Sequence, residues 1–199
     1  MKGCLIAGAV ALLVLVLVGG CGIGSYNGIV SKEELTKAKW TEIQNMYQRR
    51  YDLVPQLVEV VKGAANFEQS TITAVTEARA SVGKVALPAT LPDDPAKLKA
   101  YIEAQQSLSG ALTRLLANVE AYPQLKATQN FASLQDEIAG TENCVAVARR
   151  DYIDAVNDYN TAIRRFPGAL LASLFGFQLH AQLEVPTGVT ERPKIDFGK

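Results

Sequence analysis

The chain has few of the side chains on which catalytic and metal sites usually depend. Its 199 residues include one histidine, His180, and three cysteines that are not paired at metal-binding spacing. A catalytic Ser-His-acid set could form only around His180, which stands close to the C-terminal end. The twenty basic and twenty acidic residues balance, so the charge does not point to nucleic-acid binding. We therefore expect no enzymatic activity, no cofactor, no metal site and no nucleic-acid partner.

Proline is also scarce, and its distribution indicates long helices. Six of the eight prolines fall into two groups, within 88–95 and 167–193. Between these groups, apolar side chains recur at three- and four-residue spacing, which is typical of helices packed in a bundle. Ser31 and Glu34 have the spacing of a capping box and predict that the first helix of the body begins near Ser31. Pro55 is expected to bend this helix rather than end it.

These patterns predict an all-α domain over residues 25–177, built as an antiparallel up-and-down bundle of long helices. Residues 178–199 contain proline and glycine at intervals and are expected to form a flexible C-terminal tail, with His180 exposed in it. The apolar stretch 170–177 has two interpretations. It either folds back and closes one end of the bundle, or it forms a second membrane contact or partner surface.

The longest apolar run lies at the N-terminus and predicts a membrane anchor in residues 1–24. Lys2 precedes the run Leu5–Val18, and the run ends in Gly19-Gly20-Cys21. This order of a positive residue, an apolar segment and small residues is that of a signal peptide. The end of the run resembles the lipobox of bacterial lipoproteins, although Gly19 is not the usual residue at its position. In this interpretation the thiol of Cys21 is acylated and Cys21 becomes the new N-terminus.

The alternative is an uncleaved transmembrane helix. The 21 residues from Cys4 to Gly24 carry no charge. At 1.5 Å per residue they cover roughly 30 Å, about the thickness of the hydrocarbon core. The lysines on the two sides of the segment do not decide its orientation clearly. We favour an extracytoplasmic or periplasmic lipoprotein modified at Cys21 over a single-pass inner-membrane protein.

One charged residue lies on an apolar stripe, and one acidic residue interrupts another. Arg50 falls between Met46 and Leu53 on the stripe of the first body helix. Glu142 stands in the gap between Ile138 and Val145 on the last long stripe. We predict that Arg50 and Glu142 meet inside the bundle as a buried ion pair that fixes the register of the two helices.

Several motifs resemble the signature of the LemA family. They cover residues 26 to 177 and are Tyr26-Asn27, Trp40, YQRRYDLVPQLV at 47–58, VTEARA at 75–80, YPQLKA at 122–127, TEN at 141–143 and Phe166-Pro167. The chain departs from the family pattern at Tyr51, Gln56 and Phe67, where alanine, asparagine and histidine are usual. The resemblance implies an N-terminally anchored antiparallel helical bundle similar to bromodomain-like four-helix arrangements. It implies no reaction, because the family has no established enzymatic activity.

Together, the residues and the resemblance predict a non-enzymatic, membrane-tethered scaffold or interaction protein of the bacterial cell envelope. Its partners would be the membrane and other proteins. Two alternatives stay open: a membrane-anchored module that binds a lipid or small ligand between its helices, and an enzyme whose site the sequence does not display. Cys21-Gly22 followed by Tyr26-Asn27 fits the family members that look like lipoproteins.

Overall fold

The computed structural model describes residues 2–64, 67–85, 91–92 and 94–183, and these residues fold into helices without strands. Within the first helix, the side chains of residues 2–7, 9–11, 14 and 18 lie outside this description. The elements are α1 (Lys2–Lys62), α2 (Gln69–Lys84), α3 (Pro95–Val119), α4 (Pro123–Lys126), α5 (Gln129–Arg164) and α6 (Gly168–Phe175). The described part of the chain is therefore all-helical, as the sequence predicts.

α1 is a single helix of 61 residues that joins the N-terminal apolar run to the body. The prediction that a helix begins at Ser31 is wrong. Because the residues before Ser31 are helical too, the backbone amides that a capping box would satisfy already lie inside a helix. The Glu34 carboxylate instead binds Lys37 Nζ at 2.7 Å. Pro55 lies inside α1, and the helix continues past it to Lys62.

The starts of α3 and α5 follow local chemistry that the sequence carries. Asp94 accepts hydrogen bonds from the backbone amides of Ala96 and Lys97, and Pro95 occupies the first position of α3. Thr128 caps α5 by accepting a hydrogen bond from the backbone amide of Phe131. These two caps fix where the long helices begin, and so they fix which faces the helices turn inward.

α1 and α5 run antiparallel, as the ion pairs between them show. Lys32 binds Asp158, Lys39 binds Asp151, and Arg49 binds Glu137. Residue numbers therefore fall along α5 as they rise along α1. α2 packs beside α3, where the Asn118 side chain donates to the Thr71 hydroxyl at 2.8 Å.

Apolar side chains from α1, α2, α3 and α5 share one interior. Its fully buried members include Leu57, Val75, Leu108 and Leu115. A second apolar cluster surrounds Trp40, Tyr47, Tyr101 and Tyr152. Burial of this apolar surface is the main force that holds the helices together.

α6 folds back against the end of α5 and the start of the buried part of α1. A Cβ added at Gly168 would lie 2.0 Å from the Ala162 carbonyl oxygen, so only glycine allows this approach. Ile29, Tyr159 and Ile163 form a third buried cluster, and Leu171 packs against it. The prediction that residues 170–177 close one end of the body therefore holds for the inner face of α6.

The segment 178–183 differs from the flexible tail that the sequence predicts. The Asn160 amide donates to the His180 carbonyl and accepts from the His180 backbone N–H, each at 3.0 Å. Leu183 is buried in the second apolar cluster. The predicted tail is thus docked on α5 over its first six residues, because its backbone finds side-chain partners there. Residues 184–199 lie outside the described part of the chain.

A search of the described residues finds no helix with a stretch long and apolar enough to cross a membrane. Many side chains of the predicted run Leu5–Val18 fall outside those residues.

Candidate functional site

Cys21, the predicted lipidation residue, lies in α1 with its side chain exposed and its thiol free. A Cβ added at Gly19, Gly20 or Gly22 would meet no atom within 4 Å, so the helix is bare on either side of the thiol. Ile29, the first buried residue among the described side chains of α1, follows eight positions later. At 1.5 Å per residue, this separates the thiol from Ile29 by about 12 Å along the helix. The thiol is therefore sterically accessible for acylation.

The structure brings Arg50 and Glu142 together. Arg50 is 2% exposed, and no other charged residue in the described part of the chain is buried. Its Nη1 donates to Glu142 Oε1 at 2.6 Å. The Glu142 side chain is 34% exposed, so the pair is not fully buried as predicted. It lies at the boundary of the core, with the cation inside and the carboxylate facing water.

Arg50 has a second partner on a third helix. Its Nη2 donates to the Gln105 side-chain oxygen at 2.5 Å and to the Gln105 carbonyl at 3.2 Å. Gln105 in turn donates to the Tyr101 hydroxyl at 2.7 Å. One guanidinium therefore connects α1 to α3 and α5, which its planar fork of donors allows.

Two tyrosine rings enclose this polar cluster. The Arg50 guanidinium carbon lies 5.2 Å from the centre of the Tyr47 ring, and Tyr47 meets the Tyr101 ring edge-on at 5.5 Å. Burial raises the pKa of the Tyr101 hydroxyl far above its usual value. Burial also raises the pKa of Tyr47, although Arg149 and Arg50 oppose this increase. Both hydroxyls therefore stay neutral at physiological pH and act as hydrogen-bonding groups.

The sequence indicated Arg50 and Glu142 but not the role of Gln105. Gln105 occupies an apolar position of the α3 stripe, where a polar residue signals a buried partner. The partner could not be named from the sequence, because it depends on how α3 is placed against α1. The cluster can orient the helices, because Arg50 on α1 binds Glu142 on α5 and Gln105 on α3. The Gln105 amide is itself held by the Tyr101 hydroxyl.

A second polar contact involves His180, which was predicted to be exposed. Its imidazole stacks on the Tyr159 ring at 4.5 Å with an interplanar angle of 21°. The Tyr152 hydroxyl donates to the Ala181 carbonyl at 3.2 Å. Together with the Asn160 hydrogen bonds, these contacts attach residues 180–181 to α5.

Within the described ranges, no group of three or more His, Cys, Asp or Glu side chains could hold a metal ion. Shallow surface grooves are present, and each contains a pair of lining side chains that bind each other. One groove of about 430 Å³ lies beside Cys144 and is lined by Met46, Arg49, Glu137 and Thr141, among others. Arg49 and Glu137 form an ion pair across its wall.

Comparison with known proteins identifies the domain. The model of the LemA family matches residues 39–197. The chain belongs to the LemA family. The match begins one residue before Trp40 and includes the Arg50 cluster. It also extends through the docked segment 178–183.

Curated relatives of this LemA-family chain include two kinds of protein. Magnetosome protein MamQ 2 of Paramagnetospirillum magneticum is 28% identical over 169 residues, which cover 77% of this chain and 62% of the relative. Magnetosome protein MamQ of Magnetospirillum gryphiswaldense is 26% identical over 175 residues, with the same coverage. Protein LemA of Metamycoplasma hominis is 25% identical over 144 residues, which cover 72% of this chain and 62% of the relative. The chain thus spans less than two thirds of the length of these relatives.

Proposed function

We propose that this LemA-family chain is a non-enzymatic, membrane-tethered helical scaffold or interaction protein of the bacterial cell envelope. The observation that carries the proposal is the continuity of α1. Large apolar side chains at Leu12, Leu13, Leu15, Val16, Leu17 and Ile23 are exposed on it. The same helix then supplies buried residues to every apolar cluster of the body. Because α1 has no break between its apolar segment and the body, it would hold the body at a defined distance from the membrane.

Cys21 is our preferred point of attachment. The residues before it resemble a lipobox, and its exposed thiol lies between the exposed apolar residues and the body. In the lipoprotein form, acyl chains on Cys21 replace the preceding segment as the anchor. In the alternative form, the uncleaved segment from Cys4 to Gly24 spans the bilayer. The body begins at nearly the same distance from the membrane in both forms.

The body is proposed to be an antiparallel up-and-down four-helix bundle formed by α1, α2, α3 and α5. The antiparallel ion pairs between α1 and α5 and the interior shared by all four helices support this arrangement. α5 has 36 residues, so the bundle extends about 54 Å from end to end. Such a rod offers long side faces on which partner proteins could bind.

The contacts of the polar groups support a structural role for them rather than a catalytic one. The buried cation of Arg50 is held by Glu142 and Gln105 of the same chain. Lys39 bridges Glu42 and Asp151, each at 2.9 Å. Polar groups that bind one another across helices stabilise the packing of those helices.

The scaffold proposal is tested by crosslinking in living cells. A photo-crosslinking amino acid replaces Val147 on α5, where the side chain is 52% exposed. We expect discrete crosslinks to envelope proteins from the otherwise native chain. A matched chain that also carries Leu13→Arg and Val16→Arg should lose those crosslinks while its far-UV circular dichroism stays native. Crosslinks that persist at equal yield after release from the membrane would argue against a tethered scaffold.

A further inference from the structure

α6 exposes a row of large apolar side chains although its inner face is packed. Leu170 is 64% exposed, Leu174 is 72% exposed and Phe175 is 57% exposed. Leu170 and Leu174 are four residues apart, so they lie on the same side of the helix. Leu171, on the inner side, packs on the cluster that contains Ile29. The body therefore covers one side of α6, and the other side exposes large apolar residues.

α6 lies at the end of the body from which the apolar segment of α1 departs. The Tyr26 ring is 4.8 Å from the Phe175 ring and 5.7 Å from the Phe177 ring, measured between centroids. Tyr26 follows Gly24, the last residue of the segment that could span the membrane, by two positions. Side chains of a helix lean toward its N-terminus. The contact with Phe175 is therefore level with the end of that segment.

Either form of the anchor brings α6 to the membrane surface. Cys21 precedes Tyr26 by five residues, which is about 7.5 Å along the helix. The headgroup layer of one leaflet is about 5–7 Å thick. Acyl chains on Cys21 would place α6 at the boundary between headgroups and acyl chains. A membrane-spanning segment that ends at Gly24 would place it there as well.

Two basic residues precede the apolar row. Arg164 and Arg165 are exposed and directly precede Phe166, which is 87% exposed, and α6 itself carries no charge. Arginine side chains beside an apolar helix suit a bilayer with anionic lipids, since the guanidinium groups reach phosphates while the apolar side chains enter the acyl region.

We propose that α6 is a second, interfacial membrane contact. Leu170, Leu174 and Phe175 insert at the acyl boundary of the leaflet to which α1 is tethered. The proposal rests on the proposed tether, because the contact is too small to bind alone and becomes effective through the high local concentration that a tether provides. Two contacts on one bilayer fix the tilt of the rod, whereas a single point of attachment would leave the tilt free. The membrane is the expected occupant because the tether places this face against it in every molecule.

The test measures the depth of α6 with an introduced tryptophan. Leu174→Trp is made in the full chain, which is reconstituted at low protein density in vesicles of phosphatidylethanolamine and phosphatidylglycerol. Part of the lipid is brominated near the top of the acyl chain and quenches indoles at that depth. The native tryptophan, Trp40, is 16 residues beyond Gly24, or about 24 Å along α1, and sets the background. Val147→Trp, at an exposed apolar site on α5, is the matched control.

We expect the indole introduced by Leu174→Trp to emit at shorter wavelength in vesicles than the indole introduced by Val147→Trp. It should also lose about half of its fluorescence to the brominated lipid, as a side chain 5–10 Å deep would. The indole introduced by Val147→Trp should emit at long wavelength, and the brominated lipid should not quench it. Leu170→Trp provides a second position on the same side of α6.

Each other outcome overturns the proposal. Unquenched emission at long wavelength would show that α6 faces water. Unquenched emission at short wavelength would show that protein covers it, such as a second copy of the chain. The tether is scored separately by flotation of the same samples: a chain that does not float with vesicles refutes the tether, whereas a chain that floats without quenching refutes only the role of α6.

Discussion

Arg50 Nη1 on α1 lies 2.6 Å from Glu142 Oε1 on α5, yet the two side chains differ greatly in exposure. The Arg50 side chain is 2% exposed and the Glu142 side chain is 34% exposed. Removing the carboxylate would leave a cation in the core, whereas removing the cation would leave a carboxylate that water can reach. The pair is therefore asymmetric.

Arg50→Ala should lower the free energy of unfolding by about 3–5 kcal/mol, because it leaves a cavity where a large buried side chain lay and deprives the Gln105 oxygens of their donor. Arg50→Met combined with Glu142→Leu should recover at least half of this loss, since no charge remains and the volume is filled. The unrecovered part reflects the unpaired Gln105 oxygens, at about 1–3 kcal/mol. Urea unfolding followed by circular dichroism measures both variants. Melting of Arg50→Ala within a degree of wild type would show that the pairing carries no stability.

The docked segment 178–183 should depend on one side chain. Asn160→Ala removes two hydrogen bonds to the His180 backbone and should cost about 1–3 kcal/mol of local stability. Amide exchange at residues 178–183 should then accelerate, as measured by mass spectrometry. Asn157→Ala is the control, because the Asn157 side chain bonds Gln182 at an exposed site. Equal acceleration in both variants would mean that Asn160 does not hold the segment.

Alkaline pH should destabilise the body through its buried tyrosines. Burial raises the pKa of Tyr159 to about 12, and it also raises the pKa values of Tyr47 and Tyr101. The unfolded values lie near 10, so the folded state holds protons that the unfolded state releases above that pH. This stabilisation is complete below about pH 10 and is lost as the pH rises through the folded values.

Urea midpoints at increasing pH, with absorbance at 295 nm to follow tyrosinate, measure this loss. Tyr101→Phe and Tyr159→Phe should each flatten the fall in stability above about pH 10. If stability falls as steeply in both variants as in wild type, groups other than these two tyrosines cause the loss.

Cys21 should carry lipid if the preferred form of the anchor is correct. Cells grown with a clickable fatty acid should label the native chain and the Cys144→Ser control, in which the exposed body cysteine is removed. Cys21→Ser should abolish the label, because the acylated thiol is gone. Label that survives Cys21→Ser would exclude the lipoprotein form and leave the membrane-spanning form.

Helix type and most of the core could be predicted from spacing alone. On α5 the stripe residues Phe131, Ile138, Val145, Tyr152 and Ile163 are buried, since three- and four-residue spacing places them on one face. The last predicted stripe residue, Phe166, is exposed because α5 ends at Arg164. Local sequence signals predicted the wrong helix boundary where residues farther along the chain determined it. The capping box at Ser31 is overridden by a helix that continues from Lys2.

The candidate site could be predicted only in part for the same reason. Arg50 and Glu142 stand out because each breaks an apolar stripe. Gln105 breaks a stripe as well, but its partner depends on the placement of α3 against α1. His180 stacks on Tyr159 only because the chain folds back after α6. No periodic pattern in the sequence predicts this contact.

The tether through the first part of α1 is the central claim, and cell fractionation with a carbonate wash tests it most directly. The native chain should stay in the washed membrane pellet. Leu13→Arg with Val16→Arg should move the chain to the soluble fraction, because charges in an apolar segment oppose both membrane insertion and signal-peptide function. Leu35→Arg with Val147→Arg, at exposed apolar sites of the body, should leave the chain in the pellet. A native chain in the soluble fraction, or a Leu13→Arg, Val16→Arg chain that stays in the pellet, would contradict the tether.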